Sequence, residues 1–516
     1  MAGIPWQSEP VRGWGMAVGD AASVFRPRDA DQVAEALAER HGAGGLALRG
    51  SGCSYGDAAT NDGGRVLDLS GMNRILSFDP ATGLARVEPG VRIRDLWRHA
   101  IPHGYWPAVV PGTMQVSMGG AASMNIHGKN AFAVGTFGDH VQSFRLVTPR
   151  GQTLDCSRTE NADVFHAAIS GFGMLGAFTE LTVKLKKVHS GRLRVWGIPM
   201  RSLEDGLGIL EDLRERADYL VGWCDLHARG AGLGRGVMHR ADQYGPGEDP
   251  EGEALLPAER QDVPSTLFGV VPKGWIWPGM WCAFHFGLVP FVNAMKYRAG
   301  YGEGRASPYP QTHGAFHFLL DYVPRWQWMV RPGGLIQFQP FVPKDSADRV
   351  LRTVVEMAQK ARIVPYLGVL KRHRPDPFLM THGLDGFSMA MDFGVPSSAA
   401  GRKALWDLTH RMADVVLDAG GRFYYAKDAT LVGSSFERIH GAEAVATFRD
   451  LKSRLDPDWV LQTGLSRRLL GGAAPCRRAA LQQASATGGS TGCRCLLVIV
   501  AAAGATQHLL LQTLQP

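Results

Sequence analysis

The sequence lacks the features that mark membrane and secreted proteins. No continuous apolar run reaches the roughly 18–20 residues that a membrane-spanning helix needs, and the nearest approach, residues 496–505, is too short. The first fifteen residues contain Glu9, Arg12 and two prolines, but no apolar stretch typical of a secretory signal. We therefore expect a cytoplasmic protein.

The sequence also lacks the patterns of two other classes of protein. Its 55 basic and 48 acidic residues leave a net charge of +7, which is too slight and too dispersed to favour a nucleic-acid partner. Its 7 cysteines are odd in number and have no framework spacing, which favours reduced thiols over a disulfide scaffold. We expect no metal site. An apolar fraction of 45% and a charged fraction of 20% are typical of a globular protein.

Glycine, by contrast, is abundant. The chain has 64 glycines, about 12% of its residues against a usual ~7%, and they gather in three clusters at 49–57, 111–128 and 135–176. Closely spaced glycines let backbone N–H groups converge on an anion. In the second cluster, small residues leave room for a large flat ligand against the backbone. Three such clusters within about 130 residues predict a nucleotide cofactor.

Two common glycine motifs do not fit the first cluster. The Gly-x-Ser-x-Gly at 52–56 is the motif of a hydrolase nucleophile elbow, but that motif needs a helix directly after the serine. Residues 58–64 indicate a turn instead. The dinucleotide fingerprint of a Rossmann fold is also disfavoured, because the spacing is Gly-x-Gly-x-x-x-Gly and no helix begins at the last glycine.

The pattern of apolar residues changes near residue 190. Before it, short predicted strands such as 46–49 and 84–87 alternate with glycine-rich turns. Beyond it, longer helical patterns appear at 203–216 and 346–362. The last segment, 471–516, is rich in Gly, Ala, Ser and Gln and has no periodicity, so we expect it to be mostly disordered.

The glycine motifs resemble those of a known family. The residues that carry the resemblance are Arg49–Asp57, Pro111–Thr113, Gly119–Gly120, His127–Gly128 and the late segment Gly420–Asp428. In combination they resemble the FAD domain of the vanillyl-alcohol-oxidase superfamily, and more closely the decaprenylphosphoryl-β-D-ribose 2′-oxidases. The resemblance covers residues 12–470.

The resemblance implies an α+β fold. We expect a PCMH-type FAD-binding domain of two subdomains over 12–190, interrupted by an α+β substrate-cap domain over 191–410. The chain then returns to the FAD domain over 411–470, and the tail 471–516 follows.

The resemblance also implies which residues hold FAD. Many superfamily members attach the flavin to a histidine of the first loop, and Cys53 stands at that position here. The ribose-oxidase branch lacks this histidine and binds FAD non-covalently, so we expect the same, with a thioether to Cys53 as the alternative. The expected FAD contacts are Arg49, Gly50, Ser51, Gly52, Cys53, Ser54, Tyr55, Gly56, Asp57, Gly112, Ser117, Met118, Gly119, Gly120, Met124, Asn125, Ile126, His127, Gly176, Phe178 and Tyr424.

Two residues are candidates for catalysis. Oxidation of a secondary alcohol by a flavin needs an acceptor for the hydroxyl proton and positive charge near the reduced ring. The resemblance places Lys427 beside the flavin, where it serves either role, whereas an ion pair with Asp428 at the surface is the alternative. It places His127 near flavin and sugar, as a positioning residue or proton relay.

Five residues are candidates for substrate binding. Gln337 and Gln339 stand two apart on a predicted strand and share a face, which suggests sugar hydroxyls or structural hydrogen bonds as their partners. By the resemblance, Lys371 is expected near the substrate phosphate. Lys129 belongs to the His127 motif, and Phe318 stands where the family often has tyrosine.

An aromatic segment near 265–300 raises a separate question. It carries Trp275, Trp277, Trp281, Phe284, Phe286 and Phe291. With its prolines it is poor helix material, and we expect either a mobile flap at a membrane interface or part of the core of the cap domain.

The function implied by the resemblance is oxidation of the 2′-hydroxyl of a polyprenyl-phosphate-linked pentose to a ketone. This would be the first half of an epimerisation that a short-chain reductase completes. The alternative is an aldonolactone or alditol oxidase that produces hydrogen peroxide. The expected partners are a lipid-linked sugar phosphate, the reductase and the inner face of the plasma membrane, with a peripheral contact.

Overall fold

The structure is a computed structural model that describes residues 3–39, 41–42, 44–263, 265–267, 271–303 and 307–471. Within these ranges the chain forms sheets of four, six and nine strands and a two-stranded ribbon. The predicted disorder of the tail concerns residues that, apart from Gly471, lie outside the described part of the chain. No helix in the described ranges combines the length and the apolar character needed to cross a membrane.

The first sheet carries the first glycine loop. Its strands are β1 (Gln7–Pro10), β2 (Ala21–Phe25), β3 (Leu46–Arg49) and β4 (Arg65–Asp68), in the order β1–β2–β4–β3. The β2–β4 and β3–β4 pairs are parallel. The connecting helix α1 (Ala30–Ala38) begins after Asp29, whose side chain accepts the N–H of Gln32. The loop of residues 50–57 leaves β3 at its carboxyl end.

The second sheet is antiparallel and supports the second glycine loop. Its strands are β5 (Ile75–Asp79), β6 (Leu84–Val87), β7 (Tyr105–Pro107), β8 (Val141–Val147), β9 (Thr153–Ser157) and β10 (Ala177–Lys187). They follow the order β5–β6–β10–β8–β9, and β7 also pairs with β10. The associated helices are α2 (Ile93–Ala100), α3 (Met118–Ser123), α4 (Ala131–Val134) and α5 (Ala162–Ala168).

The third sheet is antiparallel throughout. Its strands are β11 (Arg192–Met200), β12 (Tyr219–Cys224), β13 (Gly236–Gln243), β16 (Tyr309–Thr312), β17 (Leu335–Phe338), β18 (Pro340–Pro343), β19 (Leu367–His373), β20 (Gly386–Gly394) and β21 (Arg422–Phe423). The order is β16–β11–β13–β12–β19–β20–β18–β21, and β17 also pairs with β20. The helices α6 (Leu203–Leu213), α10 (Ala347–Lys360) and α11 (Ala399–Asp418) accompany it. Two of them match the predicted helices 203–216 and 346–362.

The aromatic segment is helical, so its description as poor helix material is wrong. After the ribbon β14 (Thr266–Leu267) and β15 (Val271–Pro272), the chain forms α7 (Ile276–His285) and α8 (Val289–Glu303). The prolines do not interrupt them, because Pro278 and Pro290 fall in the first turn of each helix, where no intrahelical N–H bond is lost. The short helix α9 (His313–His317) follows β16.

The last described residues return to the first sheet. The helices α12 (Gly433–His440), α13 (Ala442–Leu455) and α14 (Gly464–Leu469) end the described part of the chain. Leu46 exchanges backbone hydrogen bonds with Val460 and Gln462. The α+β fold class predicted from the sequence is confirmed.

Candidate active site

A cavity of about 250 Å³ lies where the two glycine loops face the third sheet. Its walls include Arg49 at the end of β3, Phe178 of β10, Gln337 of β17 and Lys427 of the returning segment. Residues from all three large sheets therefore meet around one space, although they are separated by hundreds of positions in the sequence.

The first two glycine loops touch each other through one side chain. The backbone N–H of Ser51 donates to Ser117 Oγ at 3.3 Å, and a Cβ at Gly50 would collide with that same oxygen. A Cβ at Gly56 would collide with the carbonyl oxygen of Asp428. Glycine at these two positions thus permits the loop to lie directly against its neighbours.

The residues around the cavity fit FAD. The hydroxyl of Ser51 is buried and has no hydrogen-bond partner among the described residues, so it is free for a phosphate oxygen. At Gly173 a Cβ would meet only Leu48, at 3.7 Å, which leaves the backbone there open. Apolar side chains such as Val116 and Phe172 also line the walls. Open backbone with a free hydroxyl suits phosphate, and apolar walls suit a flat ring.

Most of the predicted FAD contacts line this cavity. They are Arg49, Gly50, Ser51, Gly52, Cys53, Ser54, Tyr55, Gly112, Ser117, Gly119, Gly120, Met124, Ile126, His127, Gly176, Phe178 and Tyr424.

The structure puts four of the predicted FAD contacts elsewhere. Gly56 lies against the backbone of Asp428, and Met118 is in the hydrophobic core, 1% exposed. Asn125 Oδ1 accepts the N–H of Gly138 at 2.8 Å, which uses its side chain to close the loop. Asp57 forms an ion pair with Arg468. Each belongs to the glycine motifs but serves to shape the loops.

Arg468 of α14 contacts both the first glycine loop and the Lys427 segment. We call its ion pairs with Asp57 and Asp428 the seam. Its guanidinium donates to both carboxylate oxygens of Asp57, at 2.7 and 3.1 Å, and to Asp428 at 2.7 Å. Burial opposes its charge, but Asp428 and Asp57 outweigh this and raise the pKa of Arg468. Asp428 is therefore paired with Arg468, and the surface pair of Lys427 with Asp428 does not form.

Lys427 instead points to Tyr55. Its Nζ lies 3.4 Å from the centre of the Tyr55 ring, a cation–π contact, and both residues line the cavity. Burial lowers the pKa of Lys427 to about 8, although the negative charge of Asp392 opposes this shift. The ammonium group is thus easier to deprotonate than that of an exposed lysine.

Asp392 is a site residue that the sequence reasoning missed. It is 1% exposed, lines the cavity and accepts a hydrogen bond from Gln337 Nε2 at 2.6 Å. Burial raises its pKa to about 6. The signal was present, because Asp392 interrupts the apolar run 387–393, and a buried carboxylate in such a strand needs a partner.

His127 connects the other two predicted groups. Its Nε2 lies 3.0 Å from Gln339 Nε2, and its Nδ1 lies 3.5 Å from Lys371 Nζ. Burial, followed by electrostatic interactions with Lys371, His373 and His382, lowers the pKa of His127 well below its usual value, so the ring is neutral. Burial and Lys427 lower the pKa of Lys371 to about 7.

The structure separates Lys129 from Phe318, the other two predicted substrate residues. Lys129 lines the cavity, but its Nζ donates to the carbonyls of Phe316 and His317 and thereby holds the end of α9. Phe318 is fully buried between Trp97 and Trp106 and does not line the cavity. Its neighbours His317, Leu319 and Leu320 do.

His317 is a second residue that the sequence reasoning missed. It is 1% exposed, and neither ring nitrogen has a hydrogen-bond partner in the part of the chain that the structure describes. Its ring stacks on Trp106 and meets Tyr219 edge-on. The sequence does not distinguish His317 from Phe318. Which of the two faces the cavity depends on where α9 ends, and α9 ends at His317.

The comparisons with known proteins agree with this site. Residues 21–157 match the model of an FAD binding domain. The chain is 29% identical to decaprenylphosphoryl-β-D-ribose oxidase of Mycolicibacterium smegmatis over 473 residues, which are 90% of this chain and 98% of that protein.

Two relatives match over shorter stretches. L-gulonolactone oxidase of Bos taurus is 30% identical over 196 residues, 38% of this chain and 43% of that protein. A putative D-arabinono-1,4-lactone oxidase of Neurospora crassa is 26% identical over 187 residues, 35% of this chain and 33% of that protein. The predicted FAD cofactor is confirmed. The chain is an FAD-dependent oxidoreductase of the vanillyl-alcohol-oxidase superfamily, with a PCMH-type FAD domain, and it acts on CH–OH groups.

Proposed function

We propose that the protein oxidises the 2′-hydroxyl of a pentose linked to a polyprenyl phosphate, giving the 2′-ketone. The observation that carries this proposal is the extent of the similarity to decaprenylphosphoryl-β-D-ribose oxidase, which covers 98% of that protein. It therefore includes the third sheet, which supplies Gln337, Gln339 and Lys371 to the cavity. The similarity to L-gulonolactone oxidase covers less than half of that protein.

The side chains around the cavity have the chemistry that this reaction needs. Bound FAD supplies a hydride acceptor. Lys427, with a pKa lowered to about 8 by burial, accepts the hydroxyl proton in its neutral form or stabilises negative charge in its protonated form. His127 is held by Gln339 at Nε2, and its longer Nδ1 contact with Lys371, at 3.5 Å, can be exchanged for a contact with a sugar hydroxyl.

An anionic substrate suits the charge of the walls. Lys129, Lys371 and Lys427 line the cavity, and Asp392 is the only carboxylate on its walls among the described residues. A phosphate group near Lys371 would favour the protonated forms of these amines. A neutral lactone would add no negative charge to that of Asp392, which favours the lipid phosphate over the lactone.

We infer that FAD binds non-covalently. Burial raises the pKa of the Cys53 thiol to about 11, which leaves almost no thiolate at neutral pH to attack the flavin. Its Sγ lies 3.8 Å from the carbonyl of Ser51, a weak local contact. Acid precipitation should release all of the flavin into the supernatant, and yellow colour that stays with the protein pellet would contradict this inference.

We further infer a peripheral contact with an anionic membrane through the surface of α7 and α8. Trp275, Phe286 and Phe291 are 78%, 58% and 50% exposed, and the sequence has no acidic residue between Asp262 and Glu303. Exposed aromatic groups without acidic neighbours suit a lipid interface. Phe284 of α7 packs in the same cluster as Tyr55 and Leu320, which both line the cavity, so apolar packing joins this surface to the wall of the site.

The reaction is half of an epimerisation on this proposal. A 2′-ketone becomes the epimeric alcohol only when a hydride is returned to the opposite face of the sugar. We therefore propose that a short-chain reductase takes up the product, and that both enzymes work at the cytoplasmic face of the membrane.

Anaerobic bleaching of the flavin tests the proposed function. The purified chain is mixed with decaprenylphosphoryl-β-D-ribose, with free D-ribose, with L-gulonolactone or with D-arabinono-1,4-lactone. We expect fast bleaching by the first compound alone, and mass spectrometry should show a product lighter by two hydrogens. Fast bleaching by a lactone, without bleaching by the lipid-linked ribose, would replace this proposal with the lactone oxidase.

A further inference from the structure

A chain of buried polar side chains runs from His127 away from the cavity. His127 Nε2 lies 3.0 Å from Gln339 Nε2, which lies 3.5 Å from Ser388 Oγ. Ser388 Oγ in turn lies 2.7 Å from His373 Nε2. Ser388 and His373 are 0% and 2% exposed, and neither lines the cavity. Ser388 reaches His127 through Gln339, whereas the ring of His373 also meets that of His127 edge-on at 5.0 Å; both therefore act on the substrate through His127.

The orientation of the Gln339 amide determines which neighbour must donate and which must accept in these hydrogen bonds. An amide has two N–H donors on one side and an acceptor oxygen on the other, so its orientation decides what each neighbour must be. With the nitrogen toward His127, the amide donates to Nε2, and the neutral imidazole carries its proton on Nδ1, toward Lys371. Rotation of the amide by half a turn would move the proton to Nε2 and leave Nδ1 as the acceptor.

Ser388 and His373 decide which orientation the amide adopts. In this arrangement Ser388 Oγ accepts from the Gln339 amide, and its own proton is available to His373 Nε2 when that nitrogen is the acceptor. This last contact is the shortest in the chain. The strand register holds it in place, because Ser388 on β20 pairs with Lys371 on β19, and His373 pairs with Gly386. The observed arrangement also suits Lys371, whose pKa is lowered to about 7, because its neutral amine accepts the Nδ1 proton.

We propose that Ser388 and His373 are positioning residues that fix, through Gln339, which ring nitrogen of His127 carries the proton. This series of hydrogen bonds sets the orientation of the amide and does not conduct protons, since an amide does not readily transfer a proton. Its effect on the rate rests on the proposed function of His127 toward the substrate. The tautomer itself does not depend on any substrate.

Nitrogen NMR of the FAD-loaded enzyme with ¹⁵N-labelled histidine tests the proposal, with His127→Gln used to assign the signals. We expect a single Nδ1-protonated tautomer for His127 in the wild type. Ser388→Ala and His373→Phe should give a mixture of tautomers, whereas Ser388→Thr, which keeps the hydroxyl, should restore the single form. Flavin content and melting temperature show that each variant is folded. An unchanged single tautomer in both Ser388→Ala and His373→Phe would overturn the proposal.

His382 provides the matched control. Its ring lies 5.6 Å from that of His127 and is equally buried, but its Nε2 has no hydrogen-bond partner among the described residues. His382→Phe removes a neighbouring imidazole without touching the chain, so the tautomer of His127 should stay the same. A mixture of tautomers in His382→Phe as well would show that mere proximity, and not the chain, sets the tautomer.

Kinetics with the lipid-linked ribose provide the second measurement. Ser388→Ala should lower kcat about tenfold with little change in KM, a loss equivalent to roughly 1.4 kcal/mol, and Ser388→Thr should recover it. A mixed tautomer with an unchanged kcat would overturn the role of the chain in the reaction. If this compound does not bleach even the wild-type flavin, the proposed function fails, while the NMR result on the tautomer still stands or falls independently.

Discussion

Two groups of buried polar residues differ in how far the protein itself satisfies them. In the seam, the guanidinium of Arg468 meets the carboxylates of Asp57 and Asp428. In the wall of the cavity formed by Lys371, Lys427 and His317, Lys371 contacts the His127 ring and Lys427 the Tyr55 ring, neither of which is a counter-charge, and the ring of His317 has no hydrogen-bond partner among the described residues. We infer that the seam contributes to stability, whereas the wall is completed by what it binds.

The largest effect should come from breaking the seam. Arg468→Ala would leave the buried carboxylate of Asp428 and the partly buried one of Asp57 without their counter-charge, and breaking a buried pair typically costs about 3–5 kcal/mol of unfolding free energy. It would also release the first glycine loop from the Lys427 segment, so the purified protein should contain less FAD. Urea unfolding and the flavin-to-protein absorbance ratio measure the two effects.

Arg438 is the matched control for Arg468. It also bridges two aspartates, Asp414 and Asp418, but its partners are 64% and 74% exposed. Exposed pairs contribute only about 0–1 kcal/mol, so Arg438→Ala should be nearly as stable as the wild type. Equal losses in Arg468→Ala and Arg438→Ala would refute the distinction between the seam and ordinary surface pairs.

The second effect concerns the rate and not the fold. Lys427→Ala should still fold and bind FAD, yet flavin reduction by substrate should slow by about 10²- to 10³-fold. Anaerobic stopped-flow measures this. Lys427→Arg separates the two roles, since arginine stays protonated: partial activity indicates charge stabilisation, and none indicates proton transfer.

The pH dependence of the reduction rate distinguishes the two roles of Lys427 independently, because each role predicts an opposite trend. The neutral form accepts a proton, so a proton-acceptor role predicts a reduction rate that rises as pH passes the lowered pKa of about 8. A charge-stabilising role predicts a rate that falls over the same range. A wild-type reduction rate in Lys427→Ala at every pH would remove Lys427 from the mechanism.

The sequence predicted the position of the glycine loops better than the ion pairs that hold the first loop in place. The residues 49–57 and 111–128 form local motifs, and most of them line the cavity. Asp57 and Arg468 are 411 positions apart, so no local pattern joins them, and the first glycine motif predicts only an FAD contact for Asp57. Asp392 could have been found, because it interrupts a strand whose other residues are mostly apolar and indicate only core.

The substrate wall was predicted less precisely for a geometric reason. Gln337 and Gln339 were identified from strand alternation and do line the cavity. Phe318 follows α9, where the helix ends with φ −103° and ψ 54°, and no regular period crosses such a point. The inward position therefore falls to His317, one residue earlier. The prolines of the aromatic segment give a similar case. They argue against a helix only if they fall in its interior, and the sequence does not show that α7 begins at Ile276 and α8 at Val289.

The third effect concerns the exposed aromatic surface of α7 and α8, which, like the cavity wall, lacks a partner within the described residues. Replacing Trp275, Phe286 and Phe291 together by serine removes exposed apolar area, so affinity for vesicles rich in anionic lipid should fall at least tenfold. Sedimentation with vesicles measures this. Leu76→Ser is the control, since Leu76 is also exposed, at 39%, but lies on β5. Equal vesicle binding by the triple variant and the wild type would refute the membrane contact.

The smallest effect has the opposite sign. His317 buries two ring nitrogens without a partner among the described residues, and an unpaired buried polar group costs about 1–3 kcal/mol. Phenylalanine keeps the ring that packs on Trp106 and Tyr219. In the absence of substrate, His317→Phe should therefore be as stable as the wild type, or more stable by about 1 kcal/mol. Its KM for substrate should rise, because a hydroxyl of the ligand loses its partner.

His313 makes this last prediction decisive. It lies on the same helix and stacks on the same Trp106, but its Nε2 bonds to the carbonyl of Ser190 at 3.0 Å. His313→Phe breaks a satisfied hydrogen bond and strands a carbonyl, so it should lose about 1 kcal/mol. Opposite signs for the two histidines in urea unfolding would show that His317, unlike the seam, is left for the ligand to satisfy. Equal losses would mean that His317 is an ordinary structural histidine.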